Sequence, residues 1–124
     1  MKTLKKYKPQ MIKIGPWEQI EAHYMSLISY GWKLESMVSL IRFIRNNGLD
    51  KRLFAYTSLD KLVVTIYDPA ESNRETLNIQ FDRNNKKWHF EYSPKPFEPV
   101  EMERYYPEED GIKKFCQFIE WLKW

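Results

Sequence analysis

Thr76–Ser93 reads TLNIQFDRNNKKWHFEYS, and this stretch decides the fold class. Leu77, Ile79 and Phe81 alternate with Thr76, Asn78 and Gln80, and after a polar break Trp88, Phe90 and Tyr92 alternate with His89, Glu91 and Ser93. A period of two marks strands that bury one face only, the pattern of an antiparallel sheet. The break, Asp82-Arg83-Asn84-Asn85, supplies the Asp and Asn that a chain reversal favours. Working upstream, Leu62, Val64 and Ile66 alternate with Val63, Thr65 and Tyr67, and Leu53–Thr57 precedes them across the tight connection Ser58-Leu59-Asp60-Lys61. The period predicts a meander.

Downstream, Ser93-Pro94-Lys95-Pro96-Phe97-Glu98-Pro99 lacks three backbone donors, so the last regular strand stops near Tyr92 and Val100–Tyr105 is left to add an edge strand. Helical spacing flanks the sheet. Trp17, Ile20, Tyr24, Leu27, Ile28 and Gly31 recur at three- and four-residue steps behind Pro16, which predicts a helix over residues 17–30. Met37, Val38, Ile41 and Ile44 form one stripe of a second helix that starts near Leu34 and ends at Asn46-Asn47-Gly48. Pro107-Glu108-Glu109-Asp110 has the composition of a helix first turn, and Ile112, Phe115, Ile119 and Leu122 form the stripe behind it. The expected fold is α+β: two N-terminal helices, a four- to five-stranded antiparallel meander, and a C-terminal helix on one sheet face. The polar set Thr76, Asn78, Gln80, His89 and Glu91 takes the other face.

One core suffices for 124 residues, so residues 14–124 are expected to form a single domain behind a basic arm at 1–13. Lys2, Lys5, Lys6, Lys8 and Lys13 carry the basic character. Without them the net charge of +3 becomes −2, which removes most of the case for a nucleic-acid-binding body. A lone cysteine, Cys116, and the lack of a long apolar run fit a soluble protein of the cytoplasm. No cofactor or metal is expected: His23 and His89 stand on different elements, and Cys116 has no second cysteine to share a zinc ion.

Two constellations carry functional chemistry. His89 and Glu91 lie two apart on one strand, so both point to the polar face. They could form an acid/base pair, but no nucleophile elbow or Gly-rich loop accompanies them, and a contact surface fits the flat polar face. The second is the acidic run Glu98, Glu101, Glu103, Glu108, Glu109 and Asp110, opposed by Arg104 alone, which suits a basic protein partner. A competing function is a small nucleic-acid-binding or regulatory module that grips phosphates through the arm.

The succession FAYTSLDKLVV (54–64), ETLNIQFD (75–82), KWHFEYSPKPFE (87–98) and EEDGIKKFCQFIEWLKW (108–124) resembles the small stand-alone immunity proteins of bacterial polymorphic toxin and contact-dependent inhibition systems. The resemblance implies a cytoplasmic, non-enzymatic protein that binds one cognate toxin domain and blocks it. It transfers no binding residue. Inhibitors of basic nuclease toxins are often acidic, a pattern from which the whole chain departs and its body does not.

Overall fold

The alternating segments pair into one sheet. The computed structural model describes residues 11–12, 14–68, 70–71, 75–94 and 101–124. Strands β2 (Phe54–Ser58), β3 (Lys61–Thr65), β5 (Thr76–Asp82), β6 (Lys87–Ser93) and β7 (Met102–Pro107) lie in that spatial order, every neighbour antiparallel. A two-residue pair, β1 (Met11–Ile12) with β4 (Ala70–Glu71), forms a separate small sheet that the periodicity did not signal.

Helices α1 (Trp17–Ser29), α2 (Glu35–Asn46) and α3 (Gly111–Leu122) share one core with alternate residues of the sheet: Ala55, Leu62, Val64, Leu77, Ile79, Phe81, Trp88, Phe90 and Tyr92. All three helices therefore cover the same face. Their apolar stripes bury Trp17, Ile20 and Tyr24 from α1, Met37, Val38, Leu40, Ile41 and Ile44 from α2, and Phe115, Phe118 and Ile119 from α3. No helix among the described residues is long and apolar enough to cross a membrane.

Buried polar tips tie the layers together. Trp17 Nε1 donates to the Leu53 carbonyl at 3.0 Å, and Trp88 Nε1 donates to the Glu108 carbonyl at 2.9 Å. The β2–β3 hairpin turns on Leu59, which stands at φ +58° in the left-handed region. Two α1 side chains hold that turn, His23 Nε2–H donating to Leu59 O and the Tyr24 hydroxyl to Asp60 O, each at 2.9 Å. Burial, and secondarily the Asp60 charge, pushes the Tyr24 phenol far above its ordinary value.

Element ends depart from the periodic reading where the backbone decides. The edge strand runs Met102–Pro107, two residues later than Val100–Tyr105. Residues 108–110 form a single 3-10 turn, and the α-helix begins at Gly111. Gly31 belongs to no stripe: at φ +97° it closes α1, its N–H reaching Ile28 O while Trp32 N–H reaches Leu27 O.

Candidate functional site

Pairing of β6 with β7 sets Glu91 opposite Glu103 and His89 opposite Tyr105 on the face turned away from the helices. Two carboxylates directly across a ladder repel. The neighbouring pair relieves the conflict. His89 Nε2–H donates to Glu103 Oε1 at 2.8 Å with Glu91 Oε1 at 3.5 Å, and the Tyr105 hydroxyl donates to the same Glu103 oxygen at 3.0 Å. The His89 imidazole stacks flat on the Tyr105 ring, 4.4 Å between centroids and 2° between planes. The Tyr105 hydroxyl, then the His89 hydrogen bond, hold the Glu103 carboxyl below its usual range, and the same bond to Glu103 raises the Tyr105 phenol.

This four-residue patch is open. The Glu103 side chain is 49% exposed, against 22% for Glu91 and 19% for His89. Next along the sheet Asn78 faces Glu91 and Gln80 faces His89, with Gln80 Nε2 donating to Asp60 Oδ1 at 3.1 Å. A polar hollow of about 340 Å³, lined by Asp60, Gln80, Asp82, Asn84, His89 and Tyr105, borders the stacked rings. Asp82 is occupied with its own turn, accepting from Asn84 N, Asn85 N and Asn85 Nδ2, and the Asn85 bonds lower its pKa. Toward the other end of the same face Val63, Thr65, Thr76 and Ser93 are buried, so Thr76 contributes nothing to an accessible polar surface.

The acidic run divides into two groups. Glu103 stands opposite Glu91 on the open face, whereas Glu101 is exposed in the bend before β7, its N–H donating to Tyr92 O at 3.0 Å. Glu108, roughly 17 Å further along at about 3.3 Å per strand residue, turns to the helix layer, where its Oε2 accepts from Ser36 Oγ at 2.8 Å. Glu109 is exposed beside it and Asp110 is half-buried at the start of α3. Glu98 lies outside the described residues, as does the basic arm except for Met11–Ile12.

Sequence reasoning paired His89 with Glu91 and missed its shorter bond to Glu103. It also missed Tyr105 as the ring that His89 stacks on. The signal was present in Met102–Pro107, MERYYP, whose alternation puts Glu103 and Tyr105 on one face; cross-strand register, which a single chain does not reveal, was needed to bring them to His89. The tryptophans of β6 and of the C-terminal segment are engaged within the fold. Trp88 is buried, and Trp121 and Trp124 pack edge-on against Tyr92, at 5.8 and 6.4 Å. Glu75 accepts from both the Tyr67 and Tyr92 hydroxyls, and burial together with the Glu75 contact pushes the Tyr92 phenol well up. Cys116 is half-buried, with its thiol raised by burial. Among the described residues no group of His, Cys, Asp and Glu is arranged to hold a metal ion. No protein-family model, curated protein or solved structure matches the chain.

Proposed function

We propose that this protein is a non-catalytic binding protein of the immunity type, which neutralises a cognate bacterial toxin domain in the cytoplasm by covering a basic surface of it with the open sheet face. One observation carries the reading. The three helices pack on one side of a five-stranded sheet, and the open part of the opposite face presents Glu91, Glu103, His89 and Tyr105 as a fixed, solvent-reachable patch. A sheet face loses little conformational entropy on docking, and its partly desolvated carboxylates steer and select a cationic surface.

The test is recovery of the partner from the native organism, followed by affinity measurement. Replacing Glu91, Glu101 and Glu103 together by Lys weakens binding by more than about tenfold, roughly 1.4 kcal/mol. The pair Glu108→Lys and Glu109→Lys, on the helix-layer side, has the smaller effect. A loss below tenfold for the triple variant refutes the acidic-face reading.

The hollow beside His89 favours a second reading, acid/base chemistry on a small substrate, with Glu103 orienting the imidazole. The two part company at His89→Ala. Binding requires only a modest change in partner affinity, whereas catalysis requires loss of turnover of the small substrate with the fold intact.

A further inference from the structure

The two edges of the sheet are not alike. On β2 the outer side is partly taken up, since Gly15 N–H donates to Ala55 O at 2.9 Å and Trp17 Nε1 reaches Leu53 O. On β7, which ends the sheet, no backbone hydrogen bond reaches residues 102–107 from outside the sheet among the described residues. The Glu103 carbonyl is met instead by the guanidinium of the adjacent Arg104, Nη1 at 2.8 Å. A carbonyl available to Arg104 faces outward, and alternation puts the Tyr105 N–H on that same outward side. Edges left like this accept another strand unless something blocks them.

The two sides of β7 differ in chemistry. Toward the helices, Met102, Tyr106, Phe118 and Trp121, with Lys114 and Gln117 at the rim, line a mainly apolar groove of about 150 Å³, with Trp121 51% exposed and Lys114 Nζ lying 5.1 Å from the Tyr106 ring centre. Toward the open face stand Glu103 and Tyr105, with Glu91 one strand in. Side chains of an added strand alternate between these two environments. We propose that β7 is a strand-addition site for an extended segment of the partner that alternates apolar with Lys or Arg side chains. The apolar set enters the Trp121 groove, and the cationic set lies over Glu103 and Glu91. This rests on the reading of the protein as a binder of a basic partner. Backbone bonds to Glu103 and Tyr105 supply affinity, the alternate pockets supply sequence preference, and Arg104 swings off the Glu103 carbonyl as the strand enters.

The probes are three labelled eight-residue peptides: alternating Val and Lys, the same composition in two blocks, and alternating Val and Glu. The alternating Val–Lys peptide is expected to bind at least tenfold more tightly than the other two. Tyr105→Pro, which removes an outward N–H, and Trp121→Ala, which empties the groove, should each cut that binding at least tenfold. Slowed exchange of the Tyr105 amide on peptide addition reads the same contact in the unaltered protein, should Tyr105→Pro fail to fold. Equal binding of blocked and alternating peptides, or no change in Tyr105 exchange, overturns the inference. So does a sedimentation mass near twice 15.2 kDa that Tyr105→Pro returns to monomer, because a second copy then fills the edge. A partner that tolerates Tyr105→Pro but not the Glu91, Glu101 and Glu103 reversal leaves the face reading standing and removes the edge. A partner that tolerates both removes both.

Discussion

Gly111→Ala is expected to destabilise the protein more than any other single methyl added at a described glycine. Gly111 has ordinary helical angles, φ −58° and ψ −50°, so its backbone does not require glycine. Its neighbour does. A Cβ there would fall 2.1 Å from Trp88 Nε1 and 2.2 Å from Cε2, more than an ångström inside contact distance. The indole has no room to retreat, because Nε1 is bonded to Glu108 O at 2.9 Å and the ring packs edge-on against Phe81 at 5.1 Å and Phe90 at 6.0 Å. Overpacking of this kind costs about 1–3 kcal/mol, and pulling a buried N–H off its acceptor adds about 1–3 kcal/mol. The helix gains at most about 1 kcal/mol from Ala, and less at a first position. The net is a loss of about 1–6 kcal/mol, a fall in Tm on the order of 10 °C at mid-range for a domain of this size. Thermal and urea unfolding of the single variants and of Gly111→Ala with Trp88→Phe read it directly: the smaller ring relieves the contact, so the cost of the alanine shrinks in that background. An unchanged or raised Tm in Gly111→Ala, or equal costs in both backgrounds, refutes the reasoning.

Four further outcomes follow. Leu59→Gly raises stability by up to about 1 kcal/mol, because an exposed leucine at φ +58° gives up nothing but strain; urea midpoints measure it. Tyr24→Phe costs about 1 kcal/mol through the lost bond to Asp60 O and flattens the alkaline limb. The folded phenol is raised, so its contribution is complete below the unfolded value near pH ~10 and is lost as pH climbs toward the folded one. For Glu103 the sign is opposite, since its folded carboxyl is depressed: its contribution is present above the unfolded carboxylate value and lost as pH falls through the folded one. The stability difference between wild type and Glu103→Gln therefore vanishes in acid unfolding. Deleting residues 1–10 leaves partner affinity unchanged on the proposed reading; nucleic-acid binding that weakens with salt and disappears with the deletion would move the function to the arm.

Strands β5 and β6 were legible because burial mainly on one face imposes a period of two that no helix imitates, and the stripes of α1 and α2 were legible for the corresponding reason; β3, buried on both faces along Leu62–Thr65, showed as an apolar β-branched run. Element ends were less so. Nothing in the composition of Pro107–Asp110 separates a 3-10 turn from a first α turn, and the glycine that follows owes its identity to Trp88, twenty-three positions earlier in the chain. Of the candidate site, the faces of His89, Glu91 and Glu103 follow from parity alone. Which residues meet does not, because a two-residue shift in the β6–β7 register would keep every face and change every partner. The acidic run looked continuous in sequence. The fold divides it, leaving Glu101 in the bend before β7 and sending Glu103 to the sheet face and Glu108 to Ser36.

That division bears on why an edge so open would not pair with itself. Two copies of β7 meeting antiparallel in the register that sets Glu103 opposite Glu103 bring the two carboxylates together, and like charges across a new ladder add to the repulsion already present between Glu91 and Glu103. A cationic strand meets the opposite field, and the same carboxylates that exclude a second copy then favour it. Specificity at such an edge is a difference between two pairings, and it requires the unfavourable term as much as the favourable one. On the proposed reading, His89 and Tyr105 make this arrangement tolerable in the free protein by bonding Glu103. Glu103→Gln should therefore loosen both controls at once, weakening the Val–Lys peptide while allowing concentration-dependent self-association in sedimentation. A variant that lost peptide binding and stayed strictly monomeric up to millimolar concentration would show that the charge selects partners without guarding the edge.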